Sequence, residues 1–591
     1  MPNIKEKLKR KLDNFFHEKV ESKDLLYLEK IVLLIILLAF TLIALEVNKS
    51  MSYKKYDRVQ FRSAGATLYA NLYYPTKTLS FQEKRPLIIY CHGIGSKRDF
   101  DLRVPIEFTK RGFYVAALDY QGHGESGGTI YNIDEATDAP ALSQDCSKLL
   151  EKLKTLSFFS DVNESQVGLL GHSLGGMVVL MNQALNPDFK VTVAWAPLVN
   201  FTPPRYGLRW QGYEQYIPVN LLNETNSENL LIIMHVKDEV IDYNDNAVKA
   251  KELTNCTLIN VTQPLIGGAH QLYSNGVLIN SIKWFELNFF NTETINGPIN
   301  ITFIWNYVLI FLNLGLLVAI IFLLISYSAR FFRLRPESID KNLEKQKRSL
   351  SKKKKIAKLI KISKIIQILF YSSLFIINWL IFTEIFGLIG IFYASLVFSG
   401  FFLIIKFIVY LIHLKRHEIK FSRNELKKVL KQEFNGNVLV YATICAWYFI
   451  LIYLLFSFYY PFAFMFPSSI VNIFISIAIF PIYFSIEILF RKILYPLIDF
   501  IKSEKNKAKI IIIFAFVIYV ILMVLAINYT YLPSVLFTFV IFLIVTVCNT
   551  IIYEHTRTFS AVLISSFVII QLFFSAVISN VIGIGAFYHL F

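Results

Sequence analysis

The chain has 591 residues, a net charge of +17 and a composition that is 54% hydrophobic, with 53 Phe. Residues 51–290 have a mixed composition, but from 301 onward long apolar runs alternate with short basic ones, which excludes an ordinary soluble protein and reads as membrane spans. The positive excess lies in the segments that flank those runs, so topology and contact with anionic lipid account for it and nucleic acid is not an expected partner.

A charged cytoplasmic leader, residues 1–30, contains "KEKLKRK" and precedes the apolar run Ile31–Val47. The leader is long and no A-x-A-like site follows the run, so this segment reads as a retained signal-anchor helix. Residues 51–295 then alternate between buried strands and helices. "PLIIYCHG" is a strand ending in His-Gly, "RVPIEFTKRG" a helix that stops at Gly112, and "FYVAALDY" the next strand, leading into "QGHGESGG". "ALSQDCSKLLEKLKTL" is an amphipathic helix, "QVGLL" a strand and "GGMVVLMNQAL" a helix. "VTVAWAPL", "LLIIMHV" and "CTLINVT" follow as strands. Continuous apolar strands between helices predict a mostly parallel sheet covered by helices on both faces. Ligands in such sheets bind beyond the carboxyl ends of the strands.

Gly171-His172-Ser173-Leu174-Gly175 falls at one such strand end. A sharp strand-to-helix turn crowds the backbone, needs small residues two positions either side, and leaves the Ser hydroxyl projecting above the sheet. A hydroxyl becomes a nucleophile only when a base takes its proton and an acid orients that base. Asp238 follows the "LLIIMHV" strand, and His270 sits in a Gly-flanked loop after "CTLINVT". The expected catalytic set is therefore Ser173, Asp238 and His270. The backbone N–H groups of Leu174 and Ile94, the latter in His92-Gly93-Ile94-Gly95, are the expected oxyanion donors. His92, Gly93, Gly171, His172 and Gly175 would support that loop and the turn.

The set "CHGIG", "DYQGHGESGG", "GHSLGG", "KDEVI" and "GGAH", in that order over residues 60–290, resembles the α/β-hydrolase fold family. The resemblance implies an α/β-hydrolase domain with a serine nucleophile, and structural roles for Asp119 and His123 beside the oxyanion loop. One departure is Met234-His235, where the family often has His-Gly; it leaves Asp242 and Asp245 as weaker alternative acids. A short cap at 200–229 is rich in aromatics, including Phe201, Tyr206, Trp210, Tyr213 and Tyr216. They read as packing over the core, with Tyr206, Trp210 and Tyr213 as candidate substrate-lining residues. The five cysteines form no framework; Cys146 and Cys256 would pair only if the fold brought them together. No His/Cys cluster suggests zinc, and no cofactor or metal is implied.

From 301 to 591 eight further spans can be drawn, at about 301–326, 365–386, 388–413, 437–460, 469–490, 509–529, 532–553 and 559–588. Arg330–Lys364 carries 14 Lys or Arg against 3 acids, and Lys415–Glu433 carries 7 against 3. Taking the basic loops 327–364, 414–436 and 491–509 as cytoplasmic places the N-terminus inside and the hydrolase domain outside. "SIEILFRKILYPLI" puts Glu487 and Arg491 on one helix face. This resembles, in degenerate form, the first motif of the CAAX-protease/bacteriocin-processing family; Ile486 replaces its first acid, which implies an inactive relative or a helix-end ion pair. The expected activity is a membrane-anchored serine hydrolase acting on a small-molecule or lipid ester. A serine peptidase or thioesterase of the same fold, or a transporter or binding platform with an accessory hydrolase, are the alternatives.

Overall fold

A computed structural model describes residues 22–76, 79, 81–201, 212–263, 265, 268–295, 297–332, 334, 388–416, 427, 430, 431, 433–459, 480, 481, 483–498, 501, 504–527 and 532–581. Most of the leader, the span drawn at 365–386, much of the basic loops, and the cap residues Tyr206 and Trp210 lie outside the described residues.

The first described helix, α1 (Ser22–Ser50), leads into an antiparallel hairpin of β1 (Tyr56–Ser63) and β2 (Ala66–Tyr73). β3 (Arg85–Cys91), α2 (Arg103–Thr109) and β4 (Tyr114–Asp119) follow, then a small hairpin of β5 (Ile133–Asp134) and β6 (Ala139–Pro140). Next come α3 (Asp145–Lys154), β7 (Val162–His172), α4 (Leu174–Leu185), β8 (Val191–Trp195) and the four-residue α5 (Pro218–Leu221). β9 (Leu230–His235), α6 (Lys249–Leu253), β10 (Thr257–Val261) and α7 (Asn275–Phe290) complete the domain.

The main sheet has eight strands in the order β1-β2-β4-β3-β7-β8-β9-β10. Only the β1–β2 and β2–β4 pairs are antiparallel; every other pair is parallel. β3, β4, β8 and β9 are buried almost along their whole length, as their unbroken Val, Ile, Leu and Ala runs require of strands covered on both faces. α3 and α4 pack together beside β1 and β7, while α2 and α7 pack together beside β4 and β8. This is the expected α/β-hydrolase architecture. The parallel strands end at one rim, and Ser173, His92, Asp238 and His270 all follow strands at that rim.

Beyond the domain lie α8 (Phe303–Phe331), α9 (Leu388–Arg416), α10 (Gly436–Tyr459), a π-helical stretch at Ile488–Leu494, α11 (Glu504–Ile527), α12 (Leu532–Thr556) and α13 (Phe559–Val581). Among the described residues, two segments are long and apolar enough to cross a membrane: Glu29–Ser50 and Phe303–Phe331. α1 and α8 pack side by side, and the Asn306 amide donates to the Asn48 carbonyl at 3.3 Å. The C-terminal half of α8 joins α10–α13 in a second apolar core around Ile325, Tyr441, Phe490 and Ile552.

The Glu487–Arg491 pair differs from a helix-end ion pair. Both side chains are buried in this second core, with Arg491 Nε 3.0 Å from Glu487 Oε2. Arg491 also donates to Thr550 Oγ1 and the Thr546 carbonyl, and the Asn549 amide donates to Glu487 Oε1 at 2.9 Å. The Cys146–Cys256 pair, left conditional on the fold, is not formed. Cys146 meets Cys91, not Cys256, with the sulfurs 3.4 Å apart, and all five cysteines are free and buried.

Candidate active site

The turn after β7 is built as its glycines require. Ser173 has φ 56 and ψ −118, a conformation that L residues rarely adopt. It is held there by its own N–H, which donates to the Trp195 carbonyl at 2.8 Å, and by its carbonyl, which accepts from Met177 at 3.1 Å. A Cβ on Gly171 would stand 2.2 Å from the Gly175 carbonyl oxygen. One on Gly175 would stand 2.3 Å from the carbonyl oxygens of Cys91 and His92. The strain is thus stored where α4 begins, and it lifts the hydroxyl above the rim.

The three expected side chains meet there. His270 Nε2 lies 2.9 Å from Ser173 Oγ, and His270 Nδ1 lies 2.8 and 3.0 Å from the two Asp238 carboxylate oxygens. Ser173 and His270 are buried. Burial pushes the Asp238 carboxyl up. The hydrogen bond and charge of His270, with the Ile241 and Val240 N–H groups at 2.9 Å, outweigh it and hold the group below the usual carboxylate range. An acid kept ionised fixes the imidazole with Nδ1–H toward Asp238 and leaves Nε2 to accept the serine proton. The alternative acids serve locally: Asp242 accepts from the Asp245 N–H at 2.8 Å.

The Met234-His235 departure finds its place in the turn before the acid. His235 Nδ1 accepts from the Lys237 N–H at 2.9 Å, its Nε2 donates to the Gln263 carbonyl at 3.1 Å, and its carbonyl accepts from the Asp238 N–H. One imidazole thereby braces the Asp238 turn and ties it to the segment leading to His270.

The loop after β3 lies against the nucleophile. A Cβ on Gly93 would stand 3.0 Å from His172 Nδ1 and 3.4 Å from Ser173 Cβ, so the glycine lets the backbone pass close to the nucleophile without displacing the His172 ring. Ile94 follows, and Gly95 takes φ +70 to close the turn. Leu174 opens α4, where first-turn N–H groups have no intrahelical acceptor. His92 stacks on Tyr120 with 4.8 Å between ring centres, and the Tyr120 hydroxyl donates to the His92 carbonyl at 2.8 Å. Asp119 accepts from the Arg98 backbone at 2.6 Å and from the Arg98 guanidinium, which also meets Glu125. Burial pushes this carboxyl up, but Arg98 and His92 together hold it well below the ordinary range. His123 is buried beside them, and burial, then His92, push its imidazole down to about 3.

Three groups hold the His270 loop, and sequence reasoning did not single out two of them, Glu239 and Arg103. Glu239 Oε2 accepts from the Ala269 and His270 N–H groups at 3.0 and 3.2 Å. His172, expected only to support the turn, donates from Nε2 to the His270 carbonyl at 2.9 Å; burial, then His270, push its imidazole down to about 4. Arg103 Nη1 donates to the Leu272 carbonyl at 3.2 Å, while Nε and Nη2 bind Asp101 and the guanidinium lies 4.2 Å from the Tyr273 ring centre. Tyr213, a candidate lining residue, donates its hydroxyl to Asp138 at 2.9 Å, which ties the cap to the β5–β6 hairpin. Phe201 is buried in the domain core.

Comparison with known proteins covers the same region. The family model described as serine aminopeptidase, S33, matches residues 82–261. Platelet-activating factor acetylhydrolase of Cavia porcellus is 24% identical over 174 residues, 22% of this chain and 39% of its own length. Monoacylglycerol lipase of Mycolicibacterium smegmatis is 28% identical over 121 residues, 20% of this chain and 40% of its own. The match thus spans about two fifths of these curated relatives. Among solved structures, the α/β hydrolase GrgF from Penicillium sp. sh18 is 15% identical with a TM-score of 0.32, covering 40% of this chain and 99% of that one. Residues 82–261 thus lie in a serine-hydrolase domain of the α/β-hydrolase fold.

Proposed function

We propose that the chain is a membrane-tethered serine hydrolase that cleaves carboxylic esters of acyl or lipid type through an acyl-enzyme on the outer face of the membrane. The observation that carries the reading is the connected series Ser173 Oγ, His270 Nε2, His270 Nδ1 and Asp238, with 2.9 and 2.8 Å contacts above a strained turn. The Ser173 oxygen bonds to the ester carbonyl carbon as its proton passes to His270 Nε2. Asp238 stabilises the imidazolium that forms. The oxyanion takes hydrogen bonds from the Leu174 and Ile94 N–H groups, each worth about 3 kcal/mol in such sites. The bond to the alkoxide then breaks, and the alkoxide leaves with the proton from His270. Water repeats the sequence on the acyl-enzyme, giving its proton to His270 and releasing the acid as the proton returns to Ser173.

The tether is supported by α1 and α8, whose composition and length suit a bilayer and which pack together at the edge of the domain. The basic loops suit a cytoplasmic N-terminus and an outer hydrolase. A serine peptidase is the second reading, favoured by the description of the matching family model. A fluorophosphonate probe is expected to label the full chain and to fail on Ser173→Ala. A panel of acyl esters, thioesters and aminoacyl amides then separates the readings; turnover of amides alone would overturn the esterase.

A further inference from the structure

α1 and α8 leave the domain past its catalytic rim, and hydrogen bonds define this direction. β3 runs toward the rim and α2 returns from it, so Leu102 lies at the rim end of α2 and Glu107 toward the far end. α8 starts beside Glu107, whose Oε1 accepts from the Thr302 and Phe303 N–H groups at 2.8 and 2.6 Å. One turn later the Tyr307 hydroxyl accepts from the Leu102 N–H at 3.1 Å. The helix therefore points from the far end toward the rim and continues beyond it. α1 agrees. Its Leu45 packs in the hydrolase core and its Asn48 meets Asn306. Tyr53, past the helix end, lies 4.8 Å from Tyr73 at the far end of β2.

Exposed apolar side chains begin on α8 at Ile304 and Trp305, one turn short of the rim, and run past it through Val308, Phe311 and Leu312, with Val47 and Ile43 on α1. A tryptophan there suits a membrane–water interface. The rim carries matching groups. Ile94 on the oxyanion loop is 60% exposed, Val240 beside the acid 51%, and Tyr273 after His270 38%. Each of the three loops that converge on Ser173 thus presents one large apolar side chain at the pole past which the helices leave.

We propose that the catalytic mouth opens onto the bilayer, with Ile94, Val240 and Tyr273 forming an apolar collar seated in its interface. The substrate is then an ester carried on a membrane-resident acyl chain and is taken from the lipid phase, not from water. This rests on the tethered-hydrolase reading and adds which side of the enzyme meets lipid. Lipid is the occupant of the collar because Tyr273 packs on Arg103, next to the Leu102–Tyr307 contact, and from that level the exposed apolar stripe of α8 runs on past the rim through Val308, Phe311 and Leu312. Loading from that side moves an acyl chain between two apolar surroundings, with no passage through water.

The test uses the full chain in phosphatidylcholine vesicles, carrying a polarity-sensitive thiol dye at Val240→Cys or, at the start of β3, at Lys84→Cys. The native cysteines are buried and shielded from the dye. The dye at 240 is expected to lose emission to nitroxide-labelled lipids and to resist aqueous iodide, and the dye at 84 to do the reverse. Iodide quenching at 240 equal to that at 84, with no response to nitroxide lipid, overturns the proposal. In a second measurement, Val240→Glu is expected to lower hydrolysis of a vesicle-borne long-chain ester about tenfold more than that of a soluble butyrate ester. Equal losses overturn the proposal as well. Fluorophosphonate labelling of Ser173 and resistance to alkaline carbonate are read on the same vesicles. A failed hydrolase or a failed tether is thereby told apart from a misplaced collar.

Discussion

Glu239 touches no reacting atom, yet its carboxylate takes both N–H groups that precede the His270 ring. The approach is close: a Cβ on Gly268 would stand 2.3 Å from Glu239 Oε1, and Gly268 takes φ +100. It is a positioning residue. Glu239→Ala is expected to lower kcat about fivefold with little change in KM, and Glu239→Gln, which keeps an acceptor, to recover most of the loss. Steady-state kinetics on a soluble ester check this; a rise in KM alone would count against it. His172 gives a pH signature. Its folded value of about 4 lies below the ordinary 6.5, so the unfolded chain binds the proton first as pH falls. The stability it contributes is complete above pH 6.5 and is lost between 6.5 and 4. His123, pushed to about 3, adds to the loss over the same range. His172→Gln is expected to flatten the decline in the thermal midpoint of inactivation between pH 6.5 and 4, compared with the wild type.

At the scale of elements, α2 is shared by two interfaces. Its first residue, Arg103, holds the Leu272 carbonyl, and its fifth, Glu107, caps the start of α8. A carboxylate at a helix N-terminus satisfies orphan donors and suits the helix dipole. Tyr307→Phe leaves the buried Leu102 N–H without its acceptor, a cost of about 1–3 kcal/mol. A loss of that size is expected to lower the thermal midpoint of ester hydrolysis by at least about 2–4 °C. An unchanged midpoint would show that α8 merely lies beside the domain. The nucleophile turn and the order of Ser173, Asp238 and His270 were legible in the sequence because each follows a strand whose apolar run marks its end. The links between elements were not. Glu239 reaches His270 across 31 positions, Arg103 reaches Leu272 across 169, and Asn549 reaches Glu487 across 62. Such contacts depend on packing that no local period encodes. The cysteine contact failed to show for the same reason, since Cys91 and Cys146 lie 55 apart and meet only when α3 lies against the sheet.

For the whole molecule, α8 belongs to two cores at once. Ile310 is buried with the hydrolase residues, whereas Ile321, Ile325 and Ala329 are buried with α10–α13. The Tyr441 hydroxyl donates to the Ile325 carbonyl at 3.1 Å, and Ser328 meets Tyr448 at 2.5 Å. The N-terminal half of α8 is therefore part of the hydrolase, and the C-terminal half is part of the bundle. A chain ending at residue 334 keeps the Glu107 cap, Tyr307 and Ile310. It is expected to label with fluorophosphonate and to hydrolyse a soluble ester at close to the full-length rate. A chain ending at residue 300 loses all three. Burial of one Ile side chain contributes about 1.5–3 kcal/mol, and each lost hydrogen bond about 1 kcal/mol. Together these are a large fraction of the 5–15 kcal/mol or so that keeps a typical domain folded. The shorter chain is accordingly expected to inactivate at a lower temperature or to aggregate. Equal thermal midpoints for the two truncations would mean that the hydrolase core closes without α8. If the 334-residue chain also retains turnover of the vesicle-borne ester, α9–α13 and their buried Glu487–Arg491–Asn549 network serve a purpose separate from hydrolysis.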